Sequence, residues 1–75
     1  MVHRMNEQNI SITINGDQRG FPDGATVAQL LTQLDTAGKR VAVERNGEIV
    51  PKSRHDSTRL ISGDRLEIVV AVGGG

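Results

Sequence analysis

Two Asn-Gly pairs divide this chain into short segments and restrict its fold more than any other feature. Asn15-Gly16 follows a run of alternating isoleucines, and Asn46-Gly47 lies between the segments VAVER and EIV. Both residue types tolerate the positive φ angles that two-residue hairpin turns require. Isoleucines alternate with polar residues over residues 10–14, just before the first pair. That is the period of a half-buried strand. The pattern predicts a β-hairpin at each pair, with the isoleucines facing inward.

The returning arm of each hairpin ends at a proline. The first arm returns over residues 18–21 and is closed by Pro22-Asp23-Gly24. Residues 41–45 form the third predicted strand, and residues 48–50 return briefly before Pro51. Proline cannot donate to a sheet ladder and glycine permits a reversal, so both segments are typical strand ends.

One helix is predicted between the two hairpins. Thr26 is a suitable N-cap, and Gln29 three positions later completes a capping-box pattern. The apolar residues that follow form one stripe at helical spacing, as in a helix packed on a sheet: Val27, Leu30, Leu31 and Leu34. Gly38 is the expected C-cap, and Lys39 and Arg40 are expected at the negative end of the helix dipole.

The chain after the second hairpin predicts a polar loop and one last strand. Residues 52–58 are polar and charged, and we expect Leu60 and Ile61 to anchor this loop to the core. A turn over residues 62–64 leads into residues 65–72, the predicted last and longest strand.

These elements predict an α+β domain with the β-grasp arrangement of ubiquitin-like proteins. It consists of one mixed sheet of about four to five strands, with a single helix across one face. The last strand is expected to pair centrally beside the first, and the two then run parallel through a crossover that contains the helix. The predicted organisation is a flexible extension over residues 1–8, the domain over residues 9–72 and a flexible glycine tail over residues 73–75.

Composition argues against several classes of partner. Nine basic and nine acidic residues give zero formal charge, and Phe21 is the only aromatic residue, so no nucleic-acid partner is expected. The absence of cysteine removes disulfides, thiolate nucleophiles and cysteine-ligated metals. No apolar run approaches the roughly 18 residues of a membrane span, and the N-terminal residues are too polar for a secretory signal. We expect a soluble cytoplasmic protein.

One cluster of catalytic residue types lies in the polar loop. His55-Asp56-Ser57 contains the three residue types of a catalytic triad, but a triad is assembled across a fold and not by adjacency. A solvated loop is the preferred interpretation. His55, Asp56 and the distant His3 are too few ligands for a metal site. We therefore expect no catalytic group, no metal and no intrinsic cofactor in this chain.

The last predicted strand is apolar on both of its faces. Leu66, Ile68 and Val70 alternate with Val69 and Ala71, whereas one helix covers only one face of a sheet. Either loops cover the other face, or an exposed apolar patch remains there as a partner site. A strand that is simply central in the sheet is an equally good explanation.

Three glycines, Gly73-Gly74-Gly75, follow this strand. Glycine has no side chain to pack and loses the most backbone entropy on folding, so the tail adds nothing to a core. Terminal glycines are often disordered leftovers. Alternatively, they form a thin arm that carries an unhindered carboxylate into a narrow channel of a partner enzyme.

Two segments and the glycine end resemble the ThiS family, the sulfur-carrier proteins of thiamine biosynthesis. The segments are residues 41–51 (VAVERNGEIVP) and residues 63–69 (GDRLEIV), and the resemblance extends over residues 10–75. It implies that an E1-like adenylyltransferase of the ThiF type activates the Gly75 carboxylate with ATP and magnesium. A sulfur donor, such as a cysteine desulfurase or a rhodanese-like protein, then allows conversion to a thiocarboxylate. Thiazole synthase of the ThiG type takes the sulfur from it.

The resemblance makes this chain a protein co-substrate and not an enzyme. Gly73 and Gly74 are then the stem of the tail, and Val69, Ala71 and Val72 are the expected partner contacts beside it. Two features depart from the family pattern, namely the third glycine and the N-terminal extension.

Two other interpretations stay open. One is the same chemistry in another pathway, as in the small subunit of molybdopterin synthase. The other is a ubiquitin-like protein modifier, or an interaction module whose tail is inert. Lys39 and Lys52 are the only lysines available for building isopeptide chains, which disfavours the modifier.

Overall fold

The computed structural model describes residues 9–36 and 39–71. These residues form, in chain order, β1 (Asn9–Ile14), β2 (Asp17–Pro22), α1 (Val27–Gln33), β3 (Val41–Arg45), β4 (Glu48–Ile49) and β5 (Arg65–Val70). A short 3-10 turn over Lys52–Arg54 lies between β4 and β5. Within the described ranges, no helix has the length and apolar character needed to cross a membrane.

The strands form one five-stranded mixed sheet in the order β2-β1-β5-β3-β4. β5 lies in the middle, parallel to β1 and antiparallel to β3. In this register Thr13 pairs with Arg65, and Val43 pairs with Ile68. The predicted central, parallel placement of the last strand beside the first is confirmed.

Both Asn-Gly pairs form tight hairpin turns, as predicted. Asn15 and Asn46 have φ angles of 50° and 52°, and the glycines after them have φ angles of 89° and 87°. The flanking strands pair immediately beside each turn, with Ile14 opposite Asp17 in the first hairpin. Two consecutive residues in the left-handed region match the right-handed twist of the strands on either side.

The core lies between the sheet and α1. The isoleucines of β1 are buried, as are the first residues of the predicted helical stripe, and Leu34 is partly buried against them. The most completely buried large side chains come from four different elements: Ile12, Val27, Leu30, Val43 and Leu66. α1 therefore covers one face of the sheet.

The start of α1 is the predicted capping box. The amide of Gln29 donates to Thr26 Oγ1 at 3.2 Å, and the amide of Thr26 donates to Gln29 Oε1 at 2.9 Å. Two backbone donors at this end of the helix are thus satisfied reciprocally.

The end of α1 differs from the prediction. The helix stops at Gln33 with Leu34 as its C-cap and has no basic residue in its last turn, so the expected placement of Lys39 and Arg40 at its dipole is wrong. Asp35 adopts a φ of 62°, and the amide of Thr36 bonds the carbonyl of Leu31 at 3.1 Å. This is a Schellman ending, which aspartate tolerates because its short polar side chain favours the left-handed region. Gly38, the expected C-cap, lies outside the described residues.

Leu60 anchors the loop to the core, but Ile61 does not. Leu60 is buried and its amide donates to the carbonyl of Ala25 at 2.8 Å. The side chain of Ile61 is 58% exposed, and its amide donates to the carboxylate of Asp64 at 2.8 Å. Neighbouring residues in extended chain point in opposite directions, so only one of the two reaches the core.

β5 is shorter than predicted. It spans six residues, which is the same length as β1 and β2, so it is not the longest strand. One further hydrogen bond follows it, from the amide of Ala71 to the carbonyl of Arg40 at 2.9 Å. Val72 lies outside the described residues.

Candidate functional site

The end of the central strand is the place from which the tail departs. Val70 pairs with Val41, and Ala71 is still hydrogen bonded to Arg40 on β3. The chain therefore leaves from the middle of the sheet and not from an edge. The predicted carrier residues Gly73, Gly74 and Gly75, like Val72, lie outside the described residues.

Asn15 supports β5 on the side of β1. Its Nδ2 donates to the carbonyl oxygen of Ile68 at 3.0 Å, and its Oδ1 accepts from the amide of Ile68 at 2.8 Å. β1 ends at Ile14, so the side-chain amide pairs with the backbone of β5 where β1 no longer does. Sequence reasoning assigned Asn15 to a turn and missed this contact.

Asp64 supports the start of β5 on the side of β3. This carboxylate, only 5% exposed, accepts hydrogen bonds from Arg45 Nε at 2.9 Å and Asn46 Nδ2 at 3.0 Å. It also accepts from the amide of Ile61. Asn46 Oδ1 in turn accepts from the amide of Arg65 at 2.9 Å. The turn over residues 62–64 is thereby joined to the second hairpin.

The protonation state of Asp64 follows from these contacts. Burial alone raises the pKa of the Asp64 carboxyl, because a charge is costly away from water. The hydrogen bonds from Ile61, Arg45 and Asn46, together with the positive charge of Arg45, outweigh burial and hold the pKa of Asp64 below its ordinary value. Asp64 is therefore a charged structural group and not a proton donor near neutral pH.

The face of the sheet opposite α1 carries an exposed apolar patch. Val69 on β5 is 63% exposed and stands directly opposite Ala42, while Ile49 on β4 is 64% exposed. Glu44 pairs with both Glu67 and Ile49, so two carboxylates lie between these apolar side chains. Two of the alternatives that the sequence left open hold together, because β5 is central in the sheet and its face opposite α1 is exposed. We call the surface formed by Ala42, Glu44, Ile49, Glu67 and Val69 the open face.

The loop after β4 is less solvated than expected. His55 is only 8% exposed, and its Nε2 lies 3.1 Å from the carbonyl oxygen of Val50. The carbonyl of His55 accepts from the amide of Ala28 at 2.9 Å, and the carbonyl of Thr58 accepts from the amide of Val27 at 3.0 Å. The expected solvated loop is wrong at His55, because this loop satisfies amides at the start of α1.

Asp56 and Ser57, the other two residues of the triad-like sequence, lie at the surface of this loop. The Ser57 hydroxyl faces the carbonyl of Arg54, and Asp56 is exposed. Within residues 9–36 and 39–71, no group of three or more potential metal ligands comes together.

A mixed five-stranded sheet with one helix across one face, and a chain that leaves from the central strand, defines a ubiquitin-like β-grasp protein. The ThiS family model matches residues 6–75, and the chain belongs to the ThiS family.

Curated relatives and a solved structure agree with this assignment. The chain is 40% identical over 65 residues to the sulfur carrier protein ThiS of Bacillus subtilis, covering 85% of this chain and 98% of that protein. It is 47% identical over 66 residues to a thiazole synthase of Paramagnetospirillum magneticum, covering 88% of this chain but only 20% of the synthase. The crystal structure of ThiS from Geobacter metallireducens superimposes with a TM-score of 0.74 at 32% identity, covering 88% of this chain and all of that one.

Proposed function

We propose that this protein is the sulfur carrier of a thiamine pathway and that the carboxyl carbon of Gly75 holds the sulfur as a thiocarboxylate. The observation that carries the proposal is the family match over residues 6–75, which includes the glycine end. The geometry agrees, since the tail departs from the central strand beside a hydrogen bond that holds Ala71 to the sheet.

The chemistry explains why a carrier needs partners. A carboxylate is a poor electrophile, so one of its oxygens attacks the α-phosphorus of ATP, which releases pyrophosphate and leaves AMP on the acyl group. The terminal sulfur of a persulfide on the donor protein then attacks the acyl carbon and displaces AMP. A thiol cleaves the resulting acyl disulfide, which releases the thiocarboxylate and leaves the donor sulfur in a disulfide with that thiol. An E1-like adenylyltransferase supplies the nucleotide and magnesium site, and a cysteine desulfurase or rhodanese-like protein supplies the sulfur.

Glycine suits the end of this arm for two reasons. Without a Cβ, Gly75 leaves the acyl carbon open to the incoming sulfur, and Gly73 and Gly74 form a stem thin enough for a channel. Glycine also adopts backbone conformations that are closed to other residues, so the stem can follow the path that a partner imposes.

Thiazole synthase is the proposed acceptor of the sulfur. The matching segment makes up 20% of the Paramagnetospirillum thiazole synthase, so a carrier-like domain is part of that polypeptide. A domain joined in this way reaches the synthase at a high effective concentration. We expect this carrier to bind a thiazole synthase in the same way. The match therefore favours thiazole formation over the molybdopterin pathway.

The open face is the proposed docking surface for the activating enzyme. Val69 on β5 is exposed, as is Ala71 just after the strand, and Val72 is the next residue of the chain. An exposed apolar surface with charged groups within it is typical of a transient protein interface. Binding on this face would point the tail towards the nucleotide site.

Intact-mass spectrometry tests the proposal. The carrier is incubated with an E1-like adenylyltransferase, ATP, magnesium and a sulfur donor, and we expect the mass to shift by the replacement of one oxygen with sulfur. The product is then given to thiazole synthase and, in parallel, to the large subunit of molybdopterin synthase. No mass change with an enzyme that activates an authentic ThiS would refute the carrier function. Sulfur release to the molybdopterin enzyme alone would refute the pathway.

A further inference from the structure

A second surface feature lies on the side of the domain away from the open face. A groove of about 700 Å³ opens between the end of α1, the start of β3 and the loop after β4. Leu31 and Val41 contribute apolar surface to it, and Lys39, Arg40 and Lys52 line it with exposed cationic side chains. We call it the basic groove.

The cations of the basic groove outnumber the carboxylates that line it. Asp56 is the only carboxylate among its lining residues. Within the described part of the chain, the one ion pair joins Arg45 to Asp64, away from the groove. The whole chain carries equal numbers of acidic and basic residues, so this local excess reflects how the fold distributes charge. Such a field attracts anionic groups.

The other polar groups of the groove are already engaged. The Thr32 hydroxyl donates to the carbonyl of Ala28 at 3.2 Å, and the Thr36 hydroxyl donates to the carbonyl of Leu31 at 2.8 Å. The Nε2 atom of His55 is directed to Val50. Recognition in the groove therefore depends on the lysine and arginine side chains, which attract carboxylates.

The basic groove adjoins the root of the tail. Val41 lines the groove and pairs with Val70, and the carbonyl of Arg40 accepts the amide of Ala71. A protein that takes up the tail therefore comes close to the groove at Ala71, even when it docks on the open face. When extended, the four residues after Ala71 span about 13 Å, which is longer than a lysine or arginine side chain. A nucleotide at the far end of an extended tail is out of reach of these cations, whereas the surface of the protein around the tail is not.

The charge and the position of the basic groove point to an acidic segment of the tail-binding partner as its occupant. Carboxylates on that segment pair with Lys39, Arg40 and Lys52 and orient the carrier as the tail enters. The identity of the partner rests on the proposed function, while the ligand chemistry of the groove does not.

The ligand chemistry is tested without any enzyme. The ¹⁵N-labelled carrier is titrated at low salt with a glutamate-rich peptide, and separately with a lysine-rich peptide of equal length. We expect saturable amide shifts from the glutamate-rich peptide alone, centred on Thr32, Arg40, Val41 and Lys52, and lost at high salt. Shifts scattered over the surface, or equal shifts with both peptides, would overturn the inference.

Matched charge reversals test the groove with the activating enzyme. Lys39→Glu/Lys52→Glu reverses two groove cations, and Arg19→Glu/Arg59→Glu reverses two exposed cations elsewhere. We expect the first variant to raise the KM for the carrier on the order of tenfold at low salt with kcat unchanged, and the second to change it less than about twofold. Circular dichroism confirms that both variants fold, and Lys39→Gln/Lys52→Gln, with a smaller change of charge, gives an intermediate KM.

The outcomes separate the two proposals. If the wild-type carrier is activated and both reversals behave alike, the groove inference fails and the carrier function stands. If no carrier is activated, the carrier function fails and the peptide titration still decides the groove.

Discussion

The side-chain amide of Asn15 pairs with the backbone of Ile68 through two hydrogen bonds, one to its carbonyl and one from its amide. The residues are 53 positions apart, and the contact places the first hairpin turn against the central strand. Asn15 therefore has two functions, because it also adopts the positive φ of the turn. Beyond this contact β5 continues to Val70, and the amide of Ala71 is hydrogen bonded to Arg40.

Removing this side chain should loosen the strand that carries the tail. We expect Asn15→Gly, which keeps the freedom to adopt positive φ, to lower the free energy of unfolding by about 1–3 kcal/mol, since the polar groups of Ile68 lose their partners. Urea unfolding measures the change. Gln18→Ala, an exposed substitution in the same hairpin, should stay within about 0.5 kcal/mol. Equal effects of the two substitutions would show that the side-chain contact contributes nothing.

Asp64 should make the free energy of unfolding depend on pH in the acidic range. Because its pKa is lower folded than in the unfolded chain, its contribution is complete above the ordinary value of 3.8 and is lost as the pH falls through the folded pKa. We expect Asp64→Asn to cost about 1–3 kcal/mol near neutral pH and progressively less in acid.

Urea unfolding of both proteins across this acidic range measures the difference. Asp56→Asn, at an exposed position in the nearby loop, is the control and should stay within about 0.5 kcal/mol of the wild type. A constant gap between wild type and Asp64→Asn at every pH would contradict the linkage.

Alanine substitutions at the neighbouring residues Leu60 and Ile61 should differ sharply in their effect on stability. Leu60→Ala removes a buried side chain and is expected to cost about 2–5 kcal/mol, whereas Ile61→Ala should cost less than about 0.5 kcal/mol. Chemical denaturation of the two variants provides the comparison. A large loss for Ile61→Ala would mean that this side chain is buried in solution.

The open face should affect activation and not stability. We expect Val69→Ser to raise the KM of the activating enzyme for the carrier several-fold, because an exposed apolar contact is lost at the proposed interface. Ile61→Ser is a well-matched control, since Ile61 is similarly exposed but lies outside the open face. Steady-state kinetics of pyrophosphate release distinguishes them, and identical KM values would place docking elsewhere.

The last glycine should be essential for sulfur transfer and irrelevant to folding. Deleting Gly75, or adding one residue after it, should abolish thiocarboxylate formation. A shorter or longer tail places the terminal acyl carbon away from its position in the nucleotide site. The melting temperature should be unchanged, since the glycines add no packed side chain. Intact-mass spectrometry and thermal unfolding measure the two effects, and a clear loss of stability would make the tail a structural element.

Features that depend on a few neighbouring residues were predictable from the sequence. The capping box of Thr26 and Gln29 and the two Asn-Gly turns form as expected, because their hydrogen bonds and backbone angles are local. The alternation of isoleucines identified the buried face of β1, since strand geometry alone decides which side chains share a face. These signals were sufficient for the fold, and with the ThiS resemblance they indicated the family.

Other features depended on partners far along the chain. Nothing around Asn15 indicates that its amide will meet Ile68, and nothing around His55 indicates its burial beside Val50. The helix ends earlier than predicted because Asp35 adopts the left-handed conformation within a Schellman ending. The sequence pattern had indicated Gly38 as the C-cap, since glycine is the usual residue at that position.

By itself, the sequence determined that a β-grasp domain precedes a tail of three glycines, because turn chemistry, strand alternation and helix capping act over short distances. Only the tertiary structure decided what surrounds Ala71, the last described residue before that tail. The pairing of β5 between β1 and β3 leaves Val69 exposed on one face and brings Arg40 beside Ala71. The exposure of Val69 and the contact between Arg40 and Ala71 depend on pairing between segments that are far apart in the sequence. No local sequence pattern predicts that pairing.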